Sequence, residues 1–252
     1  VRLDQIAVSP CSNPEMGLEE VMGAYAALGY RHFEAFTSWV QSAFDPGRDP
    51  QFYLGVARCH GMTFCSLHLP PVRAARVDRT LVEAVAAARF AAAIGVEVVL
   101  YKAEDRPTYV RAAAAFLDAV EPLGITPVIQ NHCGTALTTL QDVSEVLAGI
   151  GDPRMRTLLE VGHFHSAGVG WREALARLGD TVALVHVKDQ VGAQSVPFGQ
   201  GEIDLRGLFR AMDGRGYRGR YVVEMEVRDR ENTLDYLAAA YAYMQDYCEE
   251  GE

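Results

Sequence analysis

Eight apolar, strand-like runs alternate with helical segments along this chain, and few architectures accommodate that alternation. The runs fall at residues 5–9, 32–36, 63–69, 97–102, 126–132, 156–163, 181–189 and 220–227. Helical periodicity follows each of them, at residues 17–28, 50–60, 78–94, 107–123, 139–148, 171–178, 205–213 and 232–247. The apolar runs are nearly continuous, as expected of parallel strands buried on both faces. Gly29, Gly61, Gly95, Gly124, Gly179 and Gly216 stand where helix C-caps would fall. Asp78 and Thr138 or Thr139 suit N-caps, and Pro107 suits a first helical turn. Loops before strands are short, whereas those after strands lengthen at residues 37–49, 70–77 and 190–204. The pattern predicts an α/β chain folded as one (β/α)8 TIM barrel domain over residues 1–252, with the longer loops building the active-site face. The competing doubly wound sheet would carry a glycine-rich phosphate loop after its first strand. Ser9-Pro10-Cys11-Ser12-Asn13-Pro14 occupies that place instead.

Composition agrees with a single large domain. The chain has 252 residues, 49% of them hydrophobic, which is enough for a sizeable core. A net charge of -10 without a Lys/Arg cluster argues against nucleic acid and against an anionic membrane. Arg73, Arg76 and Arg79 read as a solvated face. The five cysteines form no CxxC pair and read as free, packing thiols of a reducing compartment. Residues 82–94 are apolar but too short, and too interrupted by Glu83 and Arg89, to span a bilayer. The expectation is a soluble, cytoplasmic protein whose partner is a small molecule.

Polar residues gather at the C-terminal ends of the runs: Glu34, His68, Lys102, Gln130, His132, Glu160, His163, His186, Lys188, Glu224 and Glu226. His186 and Lys188 are two apart, so in a strand they share a face. A closed barrel would bring Gln130, Glu160, His186 and Glu224 together. Three oxygen donors and one nitrogen suit a divalent ion with open positions, Mn²⁺, Mg²⁺ or Co²⁺, with Zn²⁺ admitted by the imidazole. Each residue also has a blander reading. Glu160 and Glu224 can pair with Lys188 or Lys102, and Glu226 can face Arg228 or solvent. Glu34 is either a core-edge residue or a substrate contact. The tyrosines of the last helix can pack on the barrel or form a subunit contact.

Several motifs then resemble the xylose-isomerase-like barrel superfamily of sugar isomerases and epimerases. Gln130-Asn131-His132 resembles its Glu-Asn-His, Glu160-Val161-Gly162-His163 its Asp-x-Gly-His, and His186-Val187-Lys188-Asp189 its His-x-Lys-Asp. Phe198-Gly199-Gln200-Gly201-Glu202-Ile203-Asp204 resembles its Pro-Gly-x-Gly-x-Ile-Asp loop. Gly216-Tyr217-Arg218-Gly219 and Glu224 resemble its final segment. The resemblance implies a divalent metal held at Gln130, Glu160, His186 and Glu224. Two positions depart from the family pattern: Glu160 is one methylene longer than aspartate, and Gln130 is an amide in place of a glutamate that acts as an acid/base group. A homo-oligomer is a further expectation by resemblance.

The leading expectation is a metal-dependent isomerase or epimerase acting on a sugar, polyol or related hydroxy-carbonyl compound. A cation would polarise the carbonyl while a base takes the adjacent proton. Glu224 is the first candidate base and His163 the second. Lys188 would stabilise oxyanion charge, and Glu34, His68, Lys102 and His132 would contact substrate. A dehydratase or lyase on the same scaffold is the alternative, because one clear carboxylate base fits isomerisation or β-elimination better than symmetric two-base epimerisation. A barrel that only binds a ligand is a third reading. A metal-dependent nuclease is disfavoured by the acidic charge.

Overall fold

A computed structural model describes residues 1–250. Its strands are β1 Ile6–Val8, β2 His32–Phe36, β3 Thr63–His68, β4 Val98–Leu100, β5 Thr126–Gln130, β6 Arg156–Glu160, β7 Val182–Val187, β8 Asp189–Val191, β9 Gln194–Val196 and β10 Arg220–Val223. Eight of them close a parallel barrel in the order β1-β10-β7-β6-β5-β4-β3-β2. The helices are α1 Leu18–Ala27, α2 Pro50–Cys59, α3 Val77–Ala93, α4 Arg106–Val120, α5 Leu140–Ile150, α6 Val161–Ser166, α7 Trp171–Leu178, α8 Leu205–Gly214 and α9 Thr233–Glu250. This is the expected TIM barrel, with the sequence pattern setting each β-then-α unit.

Side-chain alternation explains both layers of the core. Ala7, Cys65, Val98, Leu100, Val128, Leu158, Leu184 and Val222 fill the barrel interior. Their neighbours, such as Phe33, Val99, Ile129, Leu159, Val185 and Val223, face outward into the layer shared with the helices. Two steps along each strand from the interior layer lie Gln130, Glu160, His186 and Glu224. The face that packs the barrel therefore becomes, one layer higher, the polar face at its C-terminal mouth.

Two irregularities alter this parity. Phe33 pairs with Phe64 but Glu34 pairs with Ser66, so β3 carries an extra residue at Cys65. This bulge lets Ser66 and His68 face inward beside Glu34. A second shift, at Thr157/Leu158, sets Leu158 opposite Leu184 and Glu160 opposite His186.

Several local expectations are corrected. The strand expected to run to His163 stops at Glu160, whose side chain accepts the Gly162 N–H and caps α6. The strand expected to reach Asp189 stops at Val187, and a β8–β9 hairpin emerges from the loop at residues 190–204. Gly179 is the C-cap of α7 as expected, but in a right-handed conformation (φ -51°) that runs on into a short 3-10 turn. Asp78 lies inside the first turn of α3, while Thr139 does cap α5. The tyrosines of α9 pack inward: Tyr241 meets Tyr30 at 5.0 Å and Tyr247 meets Phe209 at 5.2 Å between ring centroids. No helix among the described residues is long and apolar enough to cross a membrane.

Candidate active site

The strand ends bring three carboxylates into direct contact with His186. Its Nδ1 lies 3.0 Å from Glu160 Oε2 and 3.0 Å from Glu224 Oε1, while its Nε2 lies 3.0 Å from Glu34 Oε1. Lys188 Nζ sits 2.6 Å from Glu224 Oε2 and 2.7 Å from Glu226 Oε2. Glu34, Glu160 and His186 are fully buried, and Lys188 is 1% exposed. Glu226, expected toward Arg228 or solvent, is exposed at 45% of its side chain and also reaches Lys188.

Mutual charge decides the protonation states. Burial opposes the His186 imidazolium, but Glu34 and Glu224 outweigh it and raise the pKa well above the usual range. Burial likewise opposes the Lys188 ammonium, and Glu160, Glu224 and Glu226 hold it charged. For Glu224, burial favours the neutral acid, yet Lys188 and His186 pull its pKa well below the usual carboxylate range. Glu224 is thus a firmly ionised group engaged on both oxygens.

A second line of contacts runs away from His186. Glu34 Oε1 accepts the Ser66 hydroxyl at 2.8 Å and lies 3.2 Å from His68 Nε2. Lys102 Nζ is 2.7 Å from His68 Nδ1. Phe36 stacks on the His68 ring at 3.8 Å. Burial, then Lys102, lowers the His68 pKa to about 4, so the ring is neutral; the Lys102 ammonium donating to Nδ1 leaves the ring hydrogen on Nε2. Burial lowers the Lys102 pKa to about 8.

His163 rises from α6 rather than from a strand, and its ring meets that of His132 at 3.9 Å. Burial, together with Lys188 and His132, pushes its pKa down to about 3. It is a half-buried, neutral imidazole with no carboxylate bonded to it among the described residues. Gln130 is buried at the end of β5, and among the described residues no hydrogen bond joins its amide to the cluster.

Three supporting residues escaped sequence reading. Asn131 donates to the Glu160 carbonyl at 3.0 Å and accepts its N–H at 3.1 Å, which locks the end of β5 to β6. The Asp189 carboxylate accepts the backbone N–H groups of Gln190, Gly199, Gly201 and Ile203, so it organises the loop over residues 190–204. Gly162 leaves room for Lys188, whose Cδ would lie 2.3 Å from an added Cβ. All three sit inside the quoted motifs, which was the available signal.

The donor set fits a divalent cation. Glu160, His186 and Glu224 each offer one ligand atom, all within 4.8 Å of one another and all buried. Two carboxylates and an imidazole are a hard, mixed O/N set of the kind that Mn²⁺, Mg²⁺, Co²⁺ and Zn²⁺ accept. Beside the cluster lies a small cavity of about 80 Å³, lined in part by Cys11, Trp39, Glu226 and Arg230. A larger cavity of about 510 Å³ opens at the opposite, N-terminal rim beside Thr126, Arg156 and Val182, far from the converging ligands.

A family model for the xylose isomerase-like TIM barrel matches residues 22–247. The chain belongs to the xylose isomerase-like TIM barrel family. An inosose dehydratase of Geobacillus thermodenitrificans is 25% identical over 152 residues, covering 52% of this chain and 51% of that protein. The chain spans about half the length of the curated relatives it matches. Among solved structures, the IolI protein with a bound zinc atom superposes with a TM-score of 0.80 at 16% identity, covering 98% of each chain. The probable 3-DHS dehydratase AsbF of Bacillus anthracis gives a TM-score of 0.78 at 13% identity, covering 96% of this chain and 98% of that one. At such identities the structures show the shared fold alone.

Proposed function

We propose that this family member is a divalent-metal-dependent dehydratase that removes water from a polyhydroxylated ketone. The observation that carries the reading is the distribution of bases. Epimerisation needs proton acceptors on both faces of the reacting carbon. Here Gln130 is an amide, and Glu224 is ionised but engaged by Lys188 at 2.6 Å and His186 at 3.0 Å. His163 is the neutral imidazole left beside the cluster; with its pKa lowered to about 3 it is a weak base, so proton removal relies on acidification of the C–H by the polarised carbonyl, while its imidazolium is a strong acid toward the leaving hydroxyl. Elimination asks for one such group, which takes the proton and returns it. The inosose dehydratases among the relatives support the same chemistry.

In this reading Glu160, His186 and Glu224 hold the cation, with the Gln130 carbonyl as a further oxygen. When bound, the cation supplies Lewis-acid polarisation of the substrate carbonyl. His163 Nε2 or Nδ1 takes the proton from the carbon next to the carbonyl. The C–H electron pair forms the new C=C bond as the neighbouring C–O bond breaks. The imidazolium then passes its proton to the departing hydroxyl, which leaves as water. His132 supports the His163 ring and orients substrate hydroxyls. Lys102 donates a hydrogen bond to a substrate oxygen across the mouth. Lys188 keeps Glu224 ionised and placed.

The test is incubation of the purified chain with inosose and Mn²⁺, beside its His163→Gln variant. Loss of one water, seen by mass spectrometry and by the absorbance of the unsaturated ketone, is expected for the wild type and not for the variant. Exchange of substrate hydrogen with solvent, or ketose interconversion, without loss of water would instead favour isomerisation. No cation uptake by the wild type would defeat both readings.

A further inference from the structure

The cluster contains one carboxylate that the proposed metal set leaves unused. Glu34 is fully buried, belongs to β2 on the far side of His186, and ends with Oε2 bonded to nothing among the described residues. Its Oε1 accepts the Ser66 hydroxyl at 2.8 Å and lies 3.0 Å from His186 Nε2. We infer that Glu34 is a positioning residue that fixes the His186 tautomer, so that Nδ1 is the nitrogen turned to the cation. This rests on the metal reading above.

Ser66 already donates to Glu34 Oε1, so that oxygen is an acceptor and His186 Nε2 must carry the hydrogen between them. The lone pair of a neutral His186 then sits on Nδ1, which faces Glu160 Oε2 and Glu224 Oε1 at 3.0 Å each. A ligating imidazole whose other N–H is held by a carboxylate is oriented and made more basic. The scaffold is arranged for this contact. The extra residue in β3 turns both Ser66 and His68 toward Glu34, and Lys102 holds the His68 ring from behind at 2.7 Å.

The same atoms admit a rival. Glu34, His68 and His186 also offer three ligand atoms within 4.8 Å, a set that would suit a second cation. That arrangement requires stripping the Nε2 hydrogen from both imidazoles, and it places the cation close to the Lys102 ammonium. The positioning role needs neither.

The experiment is titration of the metal-depleted full chain with Co²⁺, followed by its visible absorption, and with Zn²⁺ in competition with a chelator. Wild type should take up one equivalent. Glu34→Gln keeps the shape but can present an amide N–H₂ to His186 Nε2, which frees the tautomer. It should bind one equivalent about 10–100-fold more weakly and with a changed Co²⁺ spectrum. Ser66→Ala, a milder change, should fall between the two. Circular dichroism and melting of each apo-protein separate this from general loosening, which would lower stability and leave the Co²⁺ spectrum alone. Unchanged affinity and spectrum in Glu34→Gln would overturn the inference while leaving the proposed function intact. Two equivalents in the wild type, reduced to one in the variant, would make Glu34 a ligand and overturn it too. A wild type without cation uptake removes the inference together with the function on which it rests.

Discussion

Replacing Lys188 by methionine tests the charge balance of the site without reference to substrate. Met keeps a linear stem in the channel beside Gly162 and removes the ammonium. Glu224, 5% exposed, and Glu160, fully buried, then lose one of their two cations, which lies 2.6 Å and 3.9 Å from their oxygens, and keep only His186. Breaking a buried pair by deleting one partner costs about 3–5 kcal/mol. Glu226 is 45% exposed at its side chain, so its 2.7 Å contact adds little to that figure. For a chain of this size about 2–4 °C of melting temperature corresponds to each kcal/mol, so the shift should be about 6–20 °C. The assay is thermal unfolding in chelator at pH 7.5. The sign of its pH dependence also follows. Glu224 has a depressed pKa in the wild type, so its contribution is present above the ordinary carboxylate pKa and is lost as pH falls through the folded value. Without Lys188 the carboxylate protonates more readily, so the gap between the two proteins should narrow toward pH 4.5. Saturation with a divalent cation stabilises both proteins, so it should narrow the gap only by the extra affinity the variant gains once the Lys188 ammonium no longer repels the ion. A variant that melts with the wild type at pH 7.5 in chelator would refute this account of the cluster.

Two further outcomes follow from the same geometry. Gly162→Ala puts a Cβ 2.3 Å from Lys188 Cδ and 2.4 Å from Cγ, so Lys188 must leave Glu224; a loss of about 1–3 kcal/mol is expected in urea unfolding, and an unchanged midpoint would show that the stem has room. In the metal-free protein, His163 and His68 have pKa values lowered to about 3 and about 4, so their contribution is complete above about 6.5 and is lost as pH falls toward those values. His186 is raised, so its contribution is complete below about 6.5 and declines as pH rises through its folded value. Melting temperature against pH should therefore fall on both sides of about 6.5, and His163→Gln should flatten the acid limb; an unaltered acid limb would contradict a neutral His163.

The barrel was legible because parallel strands buried on both faces write continuous apolar runs, and because each run ended in polar residues at the same parity. Val128 leads to Gln130, Leu158 to Glu160, Leu184 to His186 and Val222 to Glu224, so the mouth could be read from the alternation alone. What escaped depends on pairing between strands. The inward turn of Ser66 comes from a bulge defined against β2, and no local pattern announces it. The end of β6 is set by Asn131 of the neighbouring strand and by the capping carboxylate of Glu160, so His163 came to lie on a helix. Lys188 lies level with Glu224, since Val187 pairs with Val223, and also reaches Glu226 two residues further on. The β8–β9 hairpin is shaped by Asp189 gathering N–H groups up to fourteen residues away, as at Ile203.

The cluster itself makes a purely structural barrel hard to argue. Continuing the aliphatic layer one step upward would pack the mouth with Val and Leu, and replacing buried ion clusters by apolar groups of similar volume is often neutral or stabilising. This chain instead buries Glu34, Glu160, Glu224, His186 and Lys188 together. Three carboxylates face two cations there, and Glu34 retains an oxygen without a partner among the described residues. Burial of an uncompensated charge costs several kcal/mol, so a fold under selection for stability alone would have no reason to keep the arrangement. A cation at Glu160, His186 and Glu224 would offset the excess negative charge. Its entry would displace the shared proton between His186 Nδ1 and the two carboxylates, leaving the Nε2–H on Glu34 untouched. The arrangement that costs stability in the empty barrel is thus the one that orients a metal-binding imidazole.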